Sequence, residues 1–162
     1  MPLLSGASLA MAGVPGAHAA PPEPPAVVAT ERLVSAFEKI CLDHVRDPQA
    51  RAAAAQAAPW NMKPAPGEAG LFFGQSMKLH IVETDSRCAL TARIDATASL
   101  ESVATAAASL LPRDAAQPGD PDTLLWAADD QTGAKIGVGL KVSNSSGMNL
   151  ATFNVQILGA AQ

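Results

Sequence analysis

The 162-residue sequence has no tyrosine, and its aromatic residues are two tryptophans and four phenylalanines. Stacking of bases or sugars needs exposed aromatic faces, so this scarcity argues against nucleic-acid and carbohydrate platforms. A formal net charge of −4 points the same way, away from electrostatic binding to nucleic acid or to anionic membranes. Unbroken apolar runs are missing too. The charge-free stretch 3–20 is interrupted by Gly6, Gly13, Pro15 and Gly16 and is too short to span a bilayer, so no transmembrane segment is expected. No Gly-x-Ser-x-Gly, His-Glu-x-x-His, Gly-x-x-x-x-Gly-Lys or Ser-x-x-Lys run occurs, which removes the common signatures of serine hydrolases, zinc proteases, P-loop enzymes and penicillin-recognising enzymes. Cysteine is limited to Cys41 and Cys88, too few for a disulfide scaffold.

What is present begins with residues 1–19, built from Leu, Ala, Gly, Ser, Met and Val and closing on Ala17-His18-Ala19, a small-x-small cleavage pattern. This is read as a signal peptide, although no basic residue precedes Arg32. Residues 20–29 contain Pro21-Pro22-Glu23-Pro24-Pro25 and read as an extended tether, since each proline fixes φ and removes a backbone donor. Residues 30–162 are long enough to bury a core of their own as a single domain.

Within that domain Leu33, Phe37, Ile40, Cys41, His44 and Val45 recur at helical spacing behind Thr30 as a cap. Asp47-Pro48 stops and restarts the helix, and an Ala-rich run carries it to Pro59. A loop at 59–70 contains Trp60. Strict alternation at 77–82 and 88–94 predicts a hairpin, with Met77, Leu79 and Ile81 on one face of the first strand and Cys88, Leu90, Ala92 and Ile94 on one face of the second. Leu100, Val103, Ala104, Ala107, Leu110 and Leu111 predict a further helix capped by Thr97 or Ser99. Three more strands are expected at 123–128, 135–142 and 150–158. The expectation is an α+β domain in the order α-α-ββ-α-βββ, an antiparallel sheet of about five strands with the helices packed on one face.

Cys41 on the buried helix stripe and Cys88 on the core face of a strand are the expected disulfide. Two other readings stay open: a pair of free core thiols, and a Cys2His2 metal site adding His44 and His80. Gly137 and Gly139 alternate with Val138 and Leu140, which leaves one face of their strand without side chains except Lys135 and Lys141. Together with Trp60 and Trp126 they are the candidate binding surface. Asp120, Asp122, Asp129 and Asp130 do not match a calcium loop and read as solvated turns.

Phe37-x-x-x-Cys41, the Ala-rich run behind it and Cys88-Ala89-Leu90 resemble small uncharacterised exported proteins of Gram-negative bacteria with one cysteine pair, over roughly residues 33–94. The resemblance implies the cell envelope and carries over only Cys41 and Cys88. The expectation is therefore a periplasmic or secreted, non-enzymatic binding module without a cofactor or metal, acting on an unknown protein partner or small ligand and not on nucleic acid. The alternatives are a small envelope hydrolase or thiol enzyme using His44 or His80, or the Cys2His2 metal-binding domain.

Overall fold

The computed structural model describes residues 26–158 other than 85 and 131. The signal peptide and most of the tether read from the sequence lie outside the described residues. At the tether's end Val28 is buried and donates its backbone N–H to the Arg93 carbonyl at 2.8 Å.

The sheet is larger than the expected five strands. Eight antiparallel strands, β1 (Lys63–Pro64), β2 (Leu71–Gly74), β3 (Met77–Val82), β4 (Arg87–Ile94), β5 (Gln117–Pro118), β6 (Thr123–Asp129), β7 (Lys135–Ser145) and β8 (Met148–Ile157), lie side by side in the order β1-β2-β3-β4-β8-β7-β6-β5. The expected α-α-ββ-α-βββ order is corrected accordingly. The physical reason is local. β1 and β5 are two residues long and sit in loops rich in Pro and Gly, and β2 buries Leu71 and Phe72 consecutively, so none of the three shows alternation. Both sheet edges end on a proline, Pro64 or Pro118, which lacks the donor that another strand would need.

The chain runs through helices and then a four-stranded meander twice, and the two meanders meet where β4 pairs β8. At that seam Leu90 faces Phe153, and the Thr91 and Thr152 hydroxyls are hydrogen-bonded at 2.9 Å on the other side. The β7–β8 hairpin closes through Ser146 and Gly147, both at positive φ, the two-residue geometry that matches strand twist.

The helices are α1 (Thr30–Ala36), α2 (Pro48–Gln56) and α3 (Leu100–Ala106). In place of one continuous α-helix, α1 widens into a π-helical turn over Phe37–Leu42, with the Asp43 N–H reaching the Glu38 carbonyl five residues back at 2.9 Å. Phe37, Ile40 and Cys41 in that turn are fully buried, and Phe37 stacks on Phe153 of β8 with ring centroids 4.9 Å apart. Burying side chains of that size contributes about 2–3 kcal/mol each. Thr30 is the first helical residue rather than a cap, the N-cap being Ala29 with no side-chain bond. Asp47 caps α2, accepting from the Ala50 N–H at 2.9 Å, and Ser99 caps α3 in a reciprocal box with Ser102.

Cys41 and Cys88 form a disulfide with Cα atoms 5.7 Å apart, pinning the π-helical turn to β4. Both residues are fully buried. Arg51 of α2 is buried beside them; its Nε donates to the Cys41 carbonyl at 3.4 Å and its Nη1 to the Ser86 carbonyl at 2.7 Å. One guanidinium thus ties α2, the π-helical turn and the β3–β4 connection together. Burial lowers the pKa of Arg51 to about 10, and among the described residues its Nη2 has no hydrogen-bond partner.

Candidate functional site

Alternation sorts the sheet residues onto two faces. Met77, Leu79, Ile81, Leu90, Phe153, Val138 and Leu140 face the helices, and every one is buried. The opposite face has no helix over it among the described residues. Its central rows follow from the pairing: Lys63, Phe73, Lys78, Thr91, Thr152, Lys141 and Thr123 lie opposite one another across seven strands, and the next row runs Leu71, His80, Ala89, Asn154, Gly139 and Leu125. Three of the four exposed large apolar side chains among the described residues belong here: Phe73 at 47 %, Leu125 at 46 % and Leu158 at 40 % relative exposure.

Gly137 and Gly139 lie on this open face and shape it. A Cβ on Gly137 would come within 2.9 Å of Leu158, and one on Gly139 within 2.9 Å of the Asn154 carboxamide. The missing side chains let Asn154 of β8, and Leu158 just past its end, lean over β7. What remains is a shallow groove of about 280 Å³, floored by Gly137, Gly139 and Ala127 and walled by Leu125, Asn154 and Leu158.

Of the other two candidates, Trp126 borders the same groove but does not present its indole to the open face, and Trp60 lies elsewhere. Trp126 is on the adjacent strand but points to the helix side, buried, with its indole Nε1–H donating to the Pro112 carbonyl at 3.0 Å. Trp60 is buried in the loop after α2, under the Arg32 guanidinium at 5.3 Å from the ring centroid.

The remaining candidates are similarly dispersed. His80 is exposed on the open face, whereas Cys88 is on the core face of the neighbouring strand. His44 lines a separate cleft of about 430 Å³ between the π-helical turn and the β6–β7 turn. The two histidines therefore cannot meet, and the two sulfurs are spent on each other. Among the described residues no three His, Cys, Asp or Glu side chains are grouped to hold a metal ion.

The cleft has an apolar floor that includes Leu42, Val45, Leu111 and Ile136, and its rim includes Asp43, His44, Arg46 and Asp130. Asp130 accepts from Arg46 Nε at 2.5 Å, from the Thr132 N–H at 2.8 Å, from the Thr132 hydroxyl at 2.7 Å and from the Ala134 N–H at 2.9 Å. The Arg46 guanidinium first, and then the Thr132 hydroxyl, hold this carboxyl well below the usual carboxylate range. So tightly held an anion is a poor proton acceptor at neutral pH, and its geometry is that of a latch closing the β6–β7 turn onto the helical layer.

Arg51 and the Arg46–Asp130 latch escape sequence reasoning, because their partners are 35 and 84 residues away along the chain. The lysine row was readable: Lys78 and Lys141 each sit one position off an apolar alternation. Comparison of the chain with protein-family models, with curated proteins and with solved structures finds no match.

Proposed function

We propose that this chain is a non-enzymatic binding domain of the periplasm or extracellular space, and that the open face of its sheet docks a partner protein. The observation that carries the reading is the eight-stranded sheet covered on one side only, with Phe73, Leu125 and Leu158 exposed on the other. Leu125 and Leu158 wall one groove, and exposed apolar side chains gathered in this way mark an interaction surface. Both edges of the sheet are stopped by proline, which favours docking across the face over strand addition at an edge. A buried disulfide supports an oxidising compartment.

The test is site-specific photo-crosslinking in the producing cell. A photoreactive residue at Leu125 or Thr152 is expected to trap one discrete adduct, and the same group at Gln49 of α2 to trap none. Identical adducts from both layers, or no adduct from the open face, would refute the reading. A second reading, a small amphipathic ligand, is favoured by the apolar floor and polar rim of the 430 Å³ cleft. Ligand-dependent protection of His44 from modification, with no open-face adduct, would select it.

A further inference from the structure

We propose that the occupant of the open face is an acidic polypeptide segment of another protein, carrying apolar residues among its carboxylates. This rests on the docking reading above and names the chemistry of the partner.

The chain is acidic overall, yet the charged residues at its open-face strand positions are mostly basic. Of the eleven Lys and Arg residues, Lys63, Lys78, Lys135 and Lys141 stand at open-face strand positions, as do Arg87 and Arg93, which have interactions of their own and are not part of the proposed docking row. Asp129, paired with Lys135 at 2.6 Å, is the one acidic residue at such a position among the described residues. The helical layer is mixed, with Glu31, Glu38, Asp43, Asp47, Glu101 and Asp114 on or beside the same helical turns as Arg32, Lys39, Arg46, Arg51 and Arg113, and most of the other described acidic residues stand in the connections between strands. The net charge of −4 therefore conceals a basic sheet face. Lys63, Lys78 and Lys141 share one row, two and three strand spacings apart, or about 10 and 14 Å. Carboxylates along an extended segment laid across the strands can reach such a row, while its apolar residues meet Phe73 and Leu125.

Other polyanions fit less well. A single-stranded nucleic acid wants stacking platforms, and Phe73 is the one exposed large aromatic side chain among the described residues. A bilayer is planar, whereas Phe73 on β2 and Leu125 on β6 are five strand steps apart. At roughly 20–25° of twist per step the sheet turns through about 100° between them, so one plane cannot meet both. A polypeptide segment can follow the twist.

The test measures binding of the full-length chain to a fluorescent peptide of glutamate and leucine by anisotropy, with poly-L-glutamate, heparin, single-stranded DNA and phosphatidylglycerol vesicles as competitors. The expected result is salt-sensitive binding, tighter than to poly-L-glutamate. It should weaken about tenfold in Lys78→Gln/Lys141→Gln and hold within about twofold in Gln49→Glu/Gln56→Glu, which makes the same change in net charge on the opposite layer. Circular dichroism confirms that both variants are folded. Equal weakening in both variants, stronger competition by DNA, heparin or vesicles, or salt-sensitive self-association in place of peptide binding overturns the inference. Absence of peptide binding with the open-face adduct retained also overturns it and leaves the docking reading standing. Loss of both removes both.

Discussion

Removing the Cys41–Cys88 bridge tests how the helical layer is held to the sheet. The bridge closes a loop of 47 residues, and in the chain-entropy model a crosslink of that span destabilises the unfolded state by about 4 kcal/mol. Spread over a domain of this size, that corresponds to a fall in melting temperature of about 15 °C. Cys41→Ala/Cys88→Ala adds the loss of two fully buried sulfurs, on the order of another 1–2 kcal/mol of cavity and packing. The assay compares urea unfolding of the oxidised protein, of the same protein unfolded and refolded in reductant, and of the double variant. The oxidised chain should have the highest midpoint and the smallest slope, because its unfolded state is the most compact. The reduced protein isolates the loop term from the cavity term. A reduced protein within about 1 kcal/mol of the oxidised one would refute the reasoning, by showing that the π-helical turn and Arg51 hold the layers together without the bridge.

Other substitutions probe the positions around it. Gly70→Ala, at φ +75° with a new Cβ 2.1 Å from the Ile81 carbonyl oxygen, should cost more than about 2 kcal/mol by thermal unfolding, whereas Gly133→Ala, at φ +81° with open space around it, should cost about 1. Arg51→Met keeps bulk but strips two donors from the Cys41 and Ser86 carbonyls, and should cost about 3 kcal/mol in chemical denaturation; a neutral result would mean that burying the cation cancels its bonds. Asp130 has a depressed folded pKa, so its stabilisation is complete above the ordinary carboxylate range and is lost as pH falls below about 4. Asp130→Asn should lower the melting temperature at neutral pH and flatten its acid dependence, and an unchanged profile would contradict the latch.

Alternation was readable where a strand is long and buried on one side only. β3 and β4 show it along their whole length, and the alternation that places Leu79 and Leu90 in the core also places Lys78 and Thr91 on the open face. β1 and β5 gave no such signal, because two residues containing a proline look like any other loop. The π-helical turn was invisible for a different reason: Phe37, Ile40 and Cys41 satisfy α-helical spacing equally well, and the extra residue per turn is a packing outcome. At the candidate site, Gly137 and Gly139 were legible as a bare stretch of strand, but Trp126 was grouped with them by residue type when its position beside Leu125 assigns it to the core. The whole-chain net charge of −4 hides the lysine row, because it averages those residues with acidic residues in the connections between strands.

The most direct test of the central claim is a map of backbone amide shifts as the glutamate–leucine peptide is added to the isotope-labelled chain. The account predicts that the shifts concentrate at Lys78, Thr91, Thr152, Asn154, Gly139 and Lys141, all on the open face. Shifts concentrated instead at Leu42, His44, Arg46 and Thr132 would place binding in the cleft between the helical layer and the β6–β7 turn and contradict it.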